Sequence, residues 1–336
     1  MVDLDREGDV VDAVRDAERL GEPVFVLGEG SNIVVADAGF PGLALRMRIR
    51  GVEVRREGSR VVLDVAAGEP WDALVARAVE EGWRGFECMS GIPGLAGATP
   101  IQNVGAYGQE VSETIARVRV FDRARRAFAD MDPGACGFGY RVSVFKRSQR
   151  YIVTGVRFEL AIGDASAPLR YAELTAALSV APGAQVPLAR ARETVIALRR
   201  RKGMVIDPQD PDSVSAGSFF VNPVVDSATL AQVETRAGER PPRFEAGDGR
   251  FKLAAAWLVE RAGFPKGWSL GRVAVSRKHA LALVNRGGAT AAELLRAARA
   301  IQRGVRARFD VEFEPEPVIV GGSWASSGEP DALKSE

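Results

Sequence analysis

The sequence is poor in the residues that build metal sites and disulfide frameworks. Its 336 residues include one histidine, His279, and two cysteines, Cys88 and Cys136. Two cysteines are too few for a disulfide framework, and no Cys/His cluster has metal-site spacing. We therefore predict no metal site, packing roles for both cysteines, and a capped or surface position for His279.

The sequence also lacks an excess of either charge and any long apolar run. Lys and Arg number 45 against 44 Asp and Glu, so no global field favours nucleic acid or a membrane surface. No run approaches the ~18 apolar residues of a membrane helix, and residues 1–20 carry no apolar segment of a secretory signal. This predicts a cytoplasmic protein with neither a nucleic-acid partner nor membrane insertion. Anionic ligands would have to meet local basic residues, such as the run at 199–202, which is otherwise typical of a solvated helix end.

Hydrophobic periodicity predicts a mixed chain of more than one domain. Helices are predicted at 9–20, 70–81, 190–201, 252–262 and 290–308. Strands are predicted at 23–27, 52–55, 61–65, 117–121, 151–160, 280–284 and 313–320. Residues 161–187 have the composition of a loop, and the Pro/Asp cluster at 207–212 is the best internal boundary.

Two glycine-rich segments predict close contact between the backbone and a ligand. Residues 91–108 hold five glycines, two prolines and two amides, with few side chains that could fill a core. Glycine lets main-chain N–H groups approach a ligand without steric penalty. The shorter turn at 28–32 fits either a pyrophosphate-binding nest or an ordinary turn, and it lacks the third glycine of a Rossmann fingerprint. Together, two such loops could clamp an extended dinucleotide.

A serine beside two aromatic rings is a candidate proton donor. Ser218 precedes Phe219 and Phe220, and a hydroxyl in a dry pocket can protonate a strongly basic carbon such as an enolate. Arg141 and Glu316 are candidates to stabilise the carboxylate of such an intermediate. The alternatives are a turn or N-cap role for Ser218, a surface ion pair for Arg141 and a solvated turn for Glu316.

Five segments, taken in order, resemble one family. They are LGEGSN at 27–32, GIPGLAGATPIQNVGAYG at 91–108, YRVSVFK at 140–146, AGSFFVNP at 216–223 and EPEPVIVG at 314–321. Over about residues 10–322 the chain is similar to the UDP-N-acetylenolpyruvoylglucosamine reductase (MurB) family. Tyr171 resembles the tyrosine on the substrate-covering loop of its longer-loop (type I) subgroup.

The resemblance implies an α+β fold, with a two-subdomain FAD-binding domain of the vanillyl-alcohol oxidase (PCMH) type plus an α+β substrate-binding domain. It implies FAD-binding subdomains at 1–58 and 59–203, a C-terminal return at 311–322 and a substrate-binding domain at 204–310. Residues 323–336 are predicted to be a disordered tail. A monomer is expected, because nothing in the sequence implies an oligomer.

The resemblance also implies an NADPH-dependent flavoenzyme that reduces UDP-N-acetylglucosamine enolpyruvate to UDP-N-acetylmuramate in peptidoglycan precursor synthesis. Non-covalently bound FAD would take electrons from NADPH and deliver hydride from its N5 to the enolpyruvyl carbon. The family's proton donor maps to Ser218, its carboxylate-stabilising arginine to Arg141 and its C-terminal catalytic glutamate to Glu316.

The implied cofactor contacts come from both glycine-rich segments. They are Gly28, Gly30, Ser31, Asn32, Gly91, Gly94, Gly97, Ala98, Thr99, Pro100, Gln102, Asn103, Gly105, Ala106 and Tyr107. The implied substrate contacts are Tyr140, Tyr171, Lys202 and Asn222.

Three features depart from the family pattern. Family members usually carry a strand and a Thr/Gly-containing segment before the first helix, which a truncation or a misplaced start would explain here. Val142 replaces a common aspartate beside Arg141, which we expect to loosen the fixing of that arginine. Pro317 and Val318 replace the usual Val-Arg after Glu316, so Glu314 remains an alternative acid.

Two other functions compete with the reductase. An FAD oxidase of the same fold would often tether its flavin through His or Cys, which the first glycine turn lacks. A catalytically inactive nucleotide-sugar-binding protein would bind a UDP-sugar without taking up FAD.

Overall fold

The computed structural model describes residues 1–324. Its strands are β1 Val2–Leu4, β2 Val24–Leu27, β3 Ile33–Val35, β4 Leu43–Met47, β5 Val52–Glu57, β6 Arg60–Ala66, β7 Trp83–Arg84, β8 Gly105–Ala106, β9 Gln109–Glu110, β10 Ile115–Asp122, β11 Ala127–Met131, β12 Tyr151–Ile162, β13 Val224–Val225, β14 Arg243–Glu245, β15 Phe251–Leu253, β16 Ser269–Leu270, β17 Val273–Val275, β18 Leu283–Asn285 and β19 Val318–Val320. Its helices are α1 Glu7–Leu20, α2 Trp71–Glu80, α3 Pro133–Cys136, α4 Ala172–Leu178, α5 Leu188–Arg201, α6 Ser227–Ala237, α7 Ala255–Arg261 and α8 Ala291–Phe309.

The chain divides into two compact units. The first comprises Met1–Ser31 and Pro41–Val205, and the second comprises Asn32–Phe40 and the chain from Ile206 onward. The short segment Asn32–Phe40 therefore leaves the first unit and belongs to the second.

The first unit is built on a six-stranded antiparallel sheet, in the order β11-β10-β12-β6-β5, with β7 also paired to β12. From Thr154 to Leu160 alternate residues of the long strand β12 are buried, as the period-two pattern predicts, whereas residues 152–154 are all buried. Trp71, Phe86 and Phe158 form a tilted and edge-on aromatic cluster in the core beneath it. This sheet supports the glycine-rich segment, because Gly97 donates its N–H to Ala67, the residue that follows β6.

A smaller parallel sheet, β1-β4-β2, packs with α1 in the same unit. Residues Val10, Val14 and Ala17 of α1 are buried on one helical face, and Gly21 ends the helix in the left-handed conformation. The Glu7 carboxylate accepts hydrogen bonds from Arg119 and Thr154, which ties the start of α1 to the large sheet.

The second unit holds two three-stranded antiparallel sheets, β13-β15-β14 and β16-β17-β18. Helix α8 packs against them through Ala298, Ile301 and Val305. A capping box starts the helix, because the Thr290 hydroxyl accepts the Glu293 N–H and the Glu293 carboxylate accepts the Thr290 N–H.

The segment that crosses into the second unit forms a two-stranded parallel sheet of β3 and β19. Asp37 in that segment accepts the N–H groups of Ala291 and Ala292 at 2.7 and 3.0 Å. A carboxylate is stabilised there by the first-turn N–H groups and by the helix dipole of α8.

Several sequence predictions need correction. A strand, β1, precedes α1 where the sequence predicts only the helix. The predicted loop at 161–187 contains α4, and α6 was not predicted. The predicted closing strand 313–320 is reduced to β19, because Pro315 and Pro317 cannot donate to a ladder.

Other predictions are confirmed. Cys88 and Cys136 are buried packing residues, and burial raises the pKa of the Cys136 thiol to about 11. His279 is capped, because its Nδ1 accepts the N–H of Leu281 at 3.1 Å. Of the tail predicted at 323–336, residues 325–336 lie outside the described residues, whereas the Trp324 ring packs against Phe219.

Candidate functional site

The two glycine-rich segments meet in the first unit. The Gly94 N–H donates to the Glu29 carboxylate at 3.0 Å, and the Ser31 hydroxyl donates to the Pro93 carbonyl at 3.5 Å. Gly30 and Gly94 have φ of +73° and +115°, in the region that favours glycine. A Cβ on Gly94 would lie 3.2 Å from the Ser31 hydroxyl oxygen, so a side chain at this position would crowd the Ser31 side chain.

The turn after β2 presents backbone donors that the rest of the protein does not use. Within residues 1–324, the N–H groups of Glu29, Gly30 and Ser31 have no hydrogen-bond partner. A row of backbone N–H groups around a glycine can make an anion-binding concavity. A pyrophosphate is a ligand that this donor set fits.

The first half of the long glycine segment is packed against the protein itself. A Cβ on Gly97 would lie only 2.4 Å from the Cβ of Ala67, so this glycine is needed for packing. Gly91 donates to Asp72 at 2.6 Å, and the Thr99 hydroxyl donates to the Ala96 carbonyl at 2.7 Å. These contacts are made to the protein itself and fix the conformation of the segment. Ala98 and Pro100 lie in the same turns, and Gln102 is half-buried.

Asn103 is buried and holds the second half of that segment to its neighbours. Its Nδ2 donates to the Glu110 carboxylate and the Gly139 carbonyl, and its Oδ1 accepts the Ser112 N–H. Its φ of +47° is left-handed, a conformation that asparagine tolerates better than most residues. Its side chain is thus fully occupied by protein groups, and it stays a predicted cofactor residue only through its backbone.

Arg141 lies beside the same segment. Its Nη1 and Nη2 donate to the carbonyls of Asn103 and Gly105 at 3.2 and 2.5 Å, and its guanidinium lies 5.4 Å from the centre of the Tyr140 ring. Val142, which replaces the common aspartate, is exposed and leaves these bonds intact. These two carbonyl oxygens hold the planar guanidinium in one orientation.

Tyr107, Tyr171 and Lys202 form a third cluster in the first unit. The two rings pack edge to face with centres 5.4 Å apart, and the Lys202 ammonium lies 5.5 Å from the Tyr107 ring centre. Lys202 also pairs with Glu173 at 2.5 Å. Burial raises the pKa of Tyr107 to about 12 and raises that of Tyr171 as well, so both phenols stay protonated at neutral pH.

For the run at 199–202 the sequence left open a solvated helix end or a place to meet an anionic ligand. Arg200 and Arg201 are exposed, whereas Arg199 is half-buried and burial lowers its pKa. Its Nε and Nη2 donate to the carbonyls of Gly91 and Met204. These contacts join residues far apart in the chain, and Arg192 of the same helix likewise pairs with the distant Asp72.

The second unit brings Ser218 and Glu316 together. Ser218 forms an isolated bridge with Ala282, and its hydroxyl has no hydrogen-bond partner among residues 1–324. The next residue, Phe219, accepts the Glu316 N–H at its carbonyl at 2.8 Å, and Phe220 bridges Pro315. The two candidate catalytic residues therefore lie on adjacent extended segments.

Both phenylalanines after Ser218 belong to the core, at 2 % exposure each. They fix the backbone next to Ser218, so residues with a packing role lie directly beside the candidate catalytic serine. Glu316 is half-buried, whereas the alternative acid Glu314 is exposed.

Two further predicted site residues also belong to the second unit. The Asn222 Oδ1 accepts the N–H of Ala255, the first residue of α7, at 2.9 Å. Asn32 donates its side-chain amide to the Glu316 carbonyl at 3.4 Å. Asn32 thus belongs to the second unit, whereas the remaining predicted cofactor residues belong to the first.

Residues 1–125 match the FAD binding domain family. Residues 208–320 match the family of the UDP-N-acetylenolpyruvoylglucosamine reductase C-terminal domain. The UDP-N-acetylenolpyruvoylglucosamine reductase of Thermobifida fusca is 50% identical over 320 residues, which cover 93% of this chain and 90% of that protein. This chain belongs to the UDP-N-acetylenolpyruvoylglucosamine reductase (MurB) family. The Mycobacterium marinum MurB is 46% identical over 333 residues, which cover 96% of this chain and 90% of that protein.

A solved MurB structure from Thermus caldophilus has the same fold, with a TM-score of 0.64 over 95% of this chain and 91% of that one, at 24% identity. The predicted fold class is thereby confirmed as α+β, with an FAD-binding domain of the vanillyl-alcohol oxidase type and a second α+β domain. As a MurB family member with this domain, the chain is an FAD-dependent oxidoreductase of peptidoglycan precursor synthesis. The free donors of the turn after β2 fit the cofactor's pyrophosphate.

Neither a metal-binding cluster nor a membrane-crossing helix is found within residues 1–324. No group of three or more His, Cys, Asp or Glu side chains in that range is placed to hold a metal ion. In the same range no helix has both the length and the apolar character needed to cross a membrane.

Proposed function

We propose that this protein catalyses the NADPH-dependent reduction of UDP-N-acetylglucosamine enolpyruvate to UDP-N-acetylmuramate. The proposal is supported by its membership of a family whose named members are UDP-N-acetylenolpyruvoylglucosamine reductases. The observation that carries the chemistry is the pairing of the Ser218 and Glu316 segments through the Phe219 carbonyl.

The first unit would hold the cofactor. The free N–H groups of 29–31 would bind the pyrophosphate, and the segment 91–107 would supply the remaining backbone contacts. Bound FAD, reduced by NADPH, would supply hydride from its N5 to the terminal enolpyruvyl carbon. The protein's own part is to bind, orient and supply the proton.

Ser218 is proposed as the acid that protonates the α-carbon. A serine hydroxyl is a weak acid, so it requires an acceptor as basic as the enolate carbon formed after hydride addition. Its hydroxyl has no partner among the described residues, so no competing acceptor holds its proton. Arg141 and Glu316 are proposed to stabilise the carboxylate of that intermediate.

The substrate contacts are proposed for Tyr140, Tyr171, Lys202 and Asn222. Lys202 is suited to a phosphate because it presents its ammonium beside Tyr107. Tyr171 is half-exposed at the start of α4, where a side chain can cover a ligand, and on this basis we assign the chain to the longer-loop (type I) subgroup.

We further propose a cytoplasmic monomer, since the near-equal numbers of basic and acidic residues favour neither a nucleic-acid nor a membrane partner. The domain boundaries at 58, 203 and 310 and the C-terminal return at 311–322 also stay predictions.

An anaerobic flavin titration tests the function. The purified protein should be yellow, bleach with NADPH, and regain its flavin absorbance when UDP-N-acetylglucosamine enolpyruvate is added. A flavin that is reoxidised only by oxygen would contradict the proposal and indicate an oxidase. A protein that takes up no FAD but binds UDP-sugar would contradict it in favour of a binding protein.

A further inference from the structure

The turn Glu316–Pro317–Val318 is hydrogen-bonded to Asn32 on both sides of its proline. Proline has no N–H, so the Glu316 carbonyl and the Val318 N–H are the hydrogen-bonding groups on either side of it. The carbonyl accepts the Asn32 side-chain amide at 3.4 Å, and the Val318 N–H donates to the Asn32 carbonyl at 3.0 Å. Both flanking groups of the turn therefore bond to Asn32.

Glu316 is held from its other side as well. Its N–H donates to the Phe219 carbonyl at 2.8 Å, next to Ser218. The peptide groups on both sides of the Glu316 Cα are thus fixed, one by the Ser218 segment and the other by Asn32. Two fixed peptide planes determine the direction in which the Cα–Cβ bond of Glu316 leaves the backbone.

Asn32 itself does not depend on this contact for its position. Immediately after it, Ile33, Val34 and Val35 pair with β19 in register, and Val34 is buried in the core of the second unit. Asp37 then caps α8. Because the ladder and the cap hold the backbone, loss of the Asn32 side-chain amide should leave the fold in place and free only the Glu316 peptide.

We propose that Asn32 is a positioning residue for Glu316, an inference that rests on the proposed role of Glu316 in the reductase. Its amide fixes the peptide that carries the glutamate and so directs the carboxyl group toward the substrate carboxylate. This role differs from the direct cofactor contact that the family resemblance implies. It acts on the step in which the substrate is reduced and not on the step in which NADPH is used.

Stopped-flow measurement of the two half-reactions separates these roles. Asn32→Leu and Asn32→Asp both remove the amide donor, and Asp37→Asn is the matched control from the same segment, away from Glu316. In both Asn32 variants, FAD content and flavin reduction by NADPH should stay near the wild-type values. Flavin reoxidation by the enolpyruvyl sugar should slow about ten- to hundredfold, because a small displacement of a reacting group carries a cost of that size. Its solvent deuterium isotope effect should increase.

Asp37→Asn should lower thermal stability without changing either rate. Reoxidation at the wild-type rate in both Asn32 variants would overturn the inference. So would loss of FAD with a parallel slowing of both half-reactions, which would place the Asn32 amide on the cofactor. Glu316→Gln and the wild type distinguish this failure from that of the proposed function. Wild-type flavin that the enolpyruvyl sugar does not reoxidise, or a Glu316→Gln variant that behaves as wild type, would overturn the function on which the inference rests.

Discussion

The two units hold their candidate residues by different means. In the first, the groups without a hydrogen-bond partner among the described residues are the backbone donors at 29–31, whereas side chains such as that of Asn103 bond to other protein groups. In the second, the backbone around Ser218 and Glu316 is paired, and the Ser218 hydroxyl is free of partners among the described residues. A backbone site suits binding of a constant anionic group, whereas a side-chain site suits proton transfer. The division teaches that substitutions at glycine should affect binding in the first unit, and substitutions at side chains should affect chemistry in the second.

The largest effect is expected at the free hydroxyl of the second unit. Ser218→Ala removes the proposed acid, so flavin reoxidation by the enolpyruvyl sugar should fall by about a hundredfold or more, as for loss of a general acid. Flavin reduction by NADPH should be spared, and rapid-mixing absorbance measures both steps. Ser215→Ala is the matched control, since its hydroxyl accepts the Gly217 N–H and has no other side-chain partner among residues 1–324. Unchanged reoxidation in Ser218→Ala would move the acid elsewhere.

Arg141 is the exception to this division, because it belongs to the first unit and would act in the chemistry through its side chain. Arg141→Lys keeps the charge but cannot donate to both the Asn103 and Gly105 carbonyls in the same planar arrangement. We expect kcat to fall about ten- to hundredfold, by analogy with the loss of one preorganised charge donor. Steady-state kinetics checks this, with the exposed Arg147→Lys as control. A normal kcat would remove Arg141 from the mechanism.

A glycine substitution sharpens the binding half of the comparison. Gly94→Ala places a Cβ 3.2 Å from the Ser31 hydroxyl on a backbone with φ of +115°, at a cost of about 1–3 kcal/mol. Bound FAD, measured by absorbance after gel filtration, should decrease. Gly183→Ala has a similar backbone strain, with φ of +86°, but open space around the new Cβ. Equal FAD loss in both variants would show that the strain alone is responsible.

The smallest effect concerns the sheet that supports the first unit. The Arg150 guanidinium lowers the pKa of Asp122 to about 2. Because the folded-state pKa lies below the unfolded one, the pair stabilises the fold above about pH 4, and this stability is lost as pH falls toward 2. Asp122→Asn should lower the melting temperature at pH 7 and differ little from wild type near pH 2.

Thermal melts at both pH values test this, with the exposed Asp12→Asn as control. A difference between Asp122→Asn and wild type that persists undiminished at pH 2 would assign the effect to packing instead of charge.

The sequence predicted the elements that depend on local patterns. The capping box at Thr290 and the helix α2 follow from residue types at fixed spacing. The helix α4 was missed because its alanine- and serine-rich surroundings give a weak periodic pattern. The family resemblance, and with it the fold, came from the sequence motifs. Hydrophobic periodicity and composition alone do not distinguish one ligand class from another.

The remaining contacts depend on distant parts of the chain and leave no local signal. Nothing near Arg199 in the sequence shows that its guanidinium reaches the Gly91 carbonyl, 108 residues away. Similarly, the resemblance grouped Asn32 with the glycine turn before it, whereas the structure pairs it with Glu316. Short motifs locate such residues but do not show which neighbours they acquire.

The pairing of β3 with β19 also has a consequence for how the protein is made. Asn32 and Glu316 are 284 residues apart, so the strand that follows Asn32 leaves the ribosome long before its partner. Closing a chain segment of that length costs about 5 kcal/mol of entropy, and contacts of such high sequence separation form late in folding. Until then Val34 has no core in which to bury, and β3 presents an unpaired edge. A chain that stops before residue 318 would therefore retain this exposed strand, and would be a substrate for chaperones and proteases instead of an enzyme.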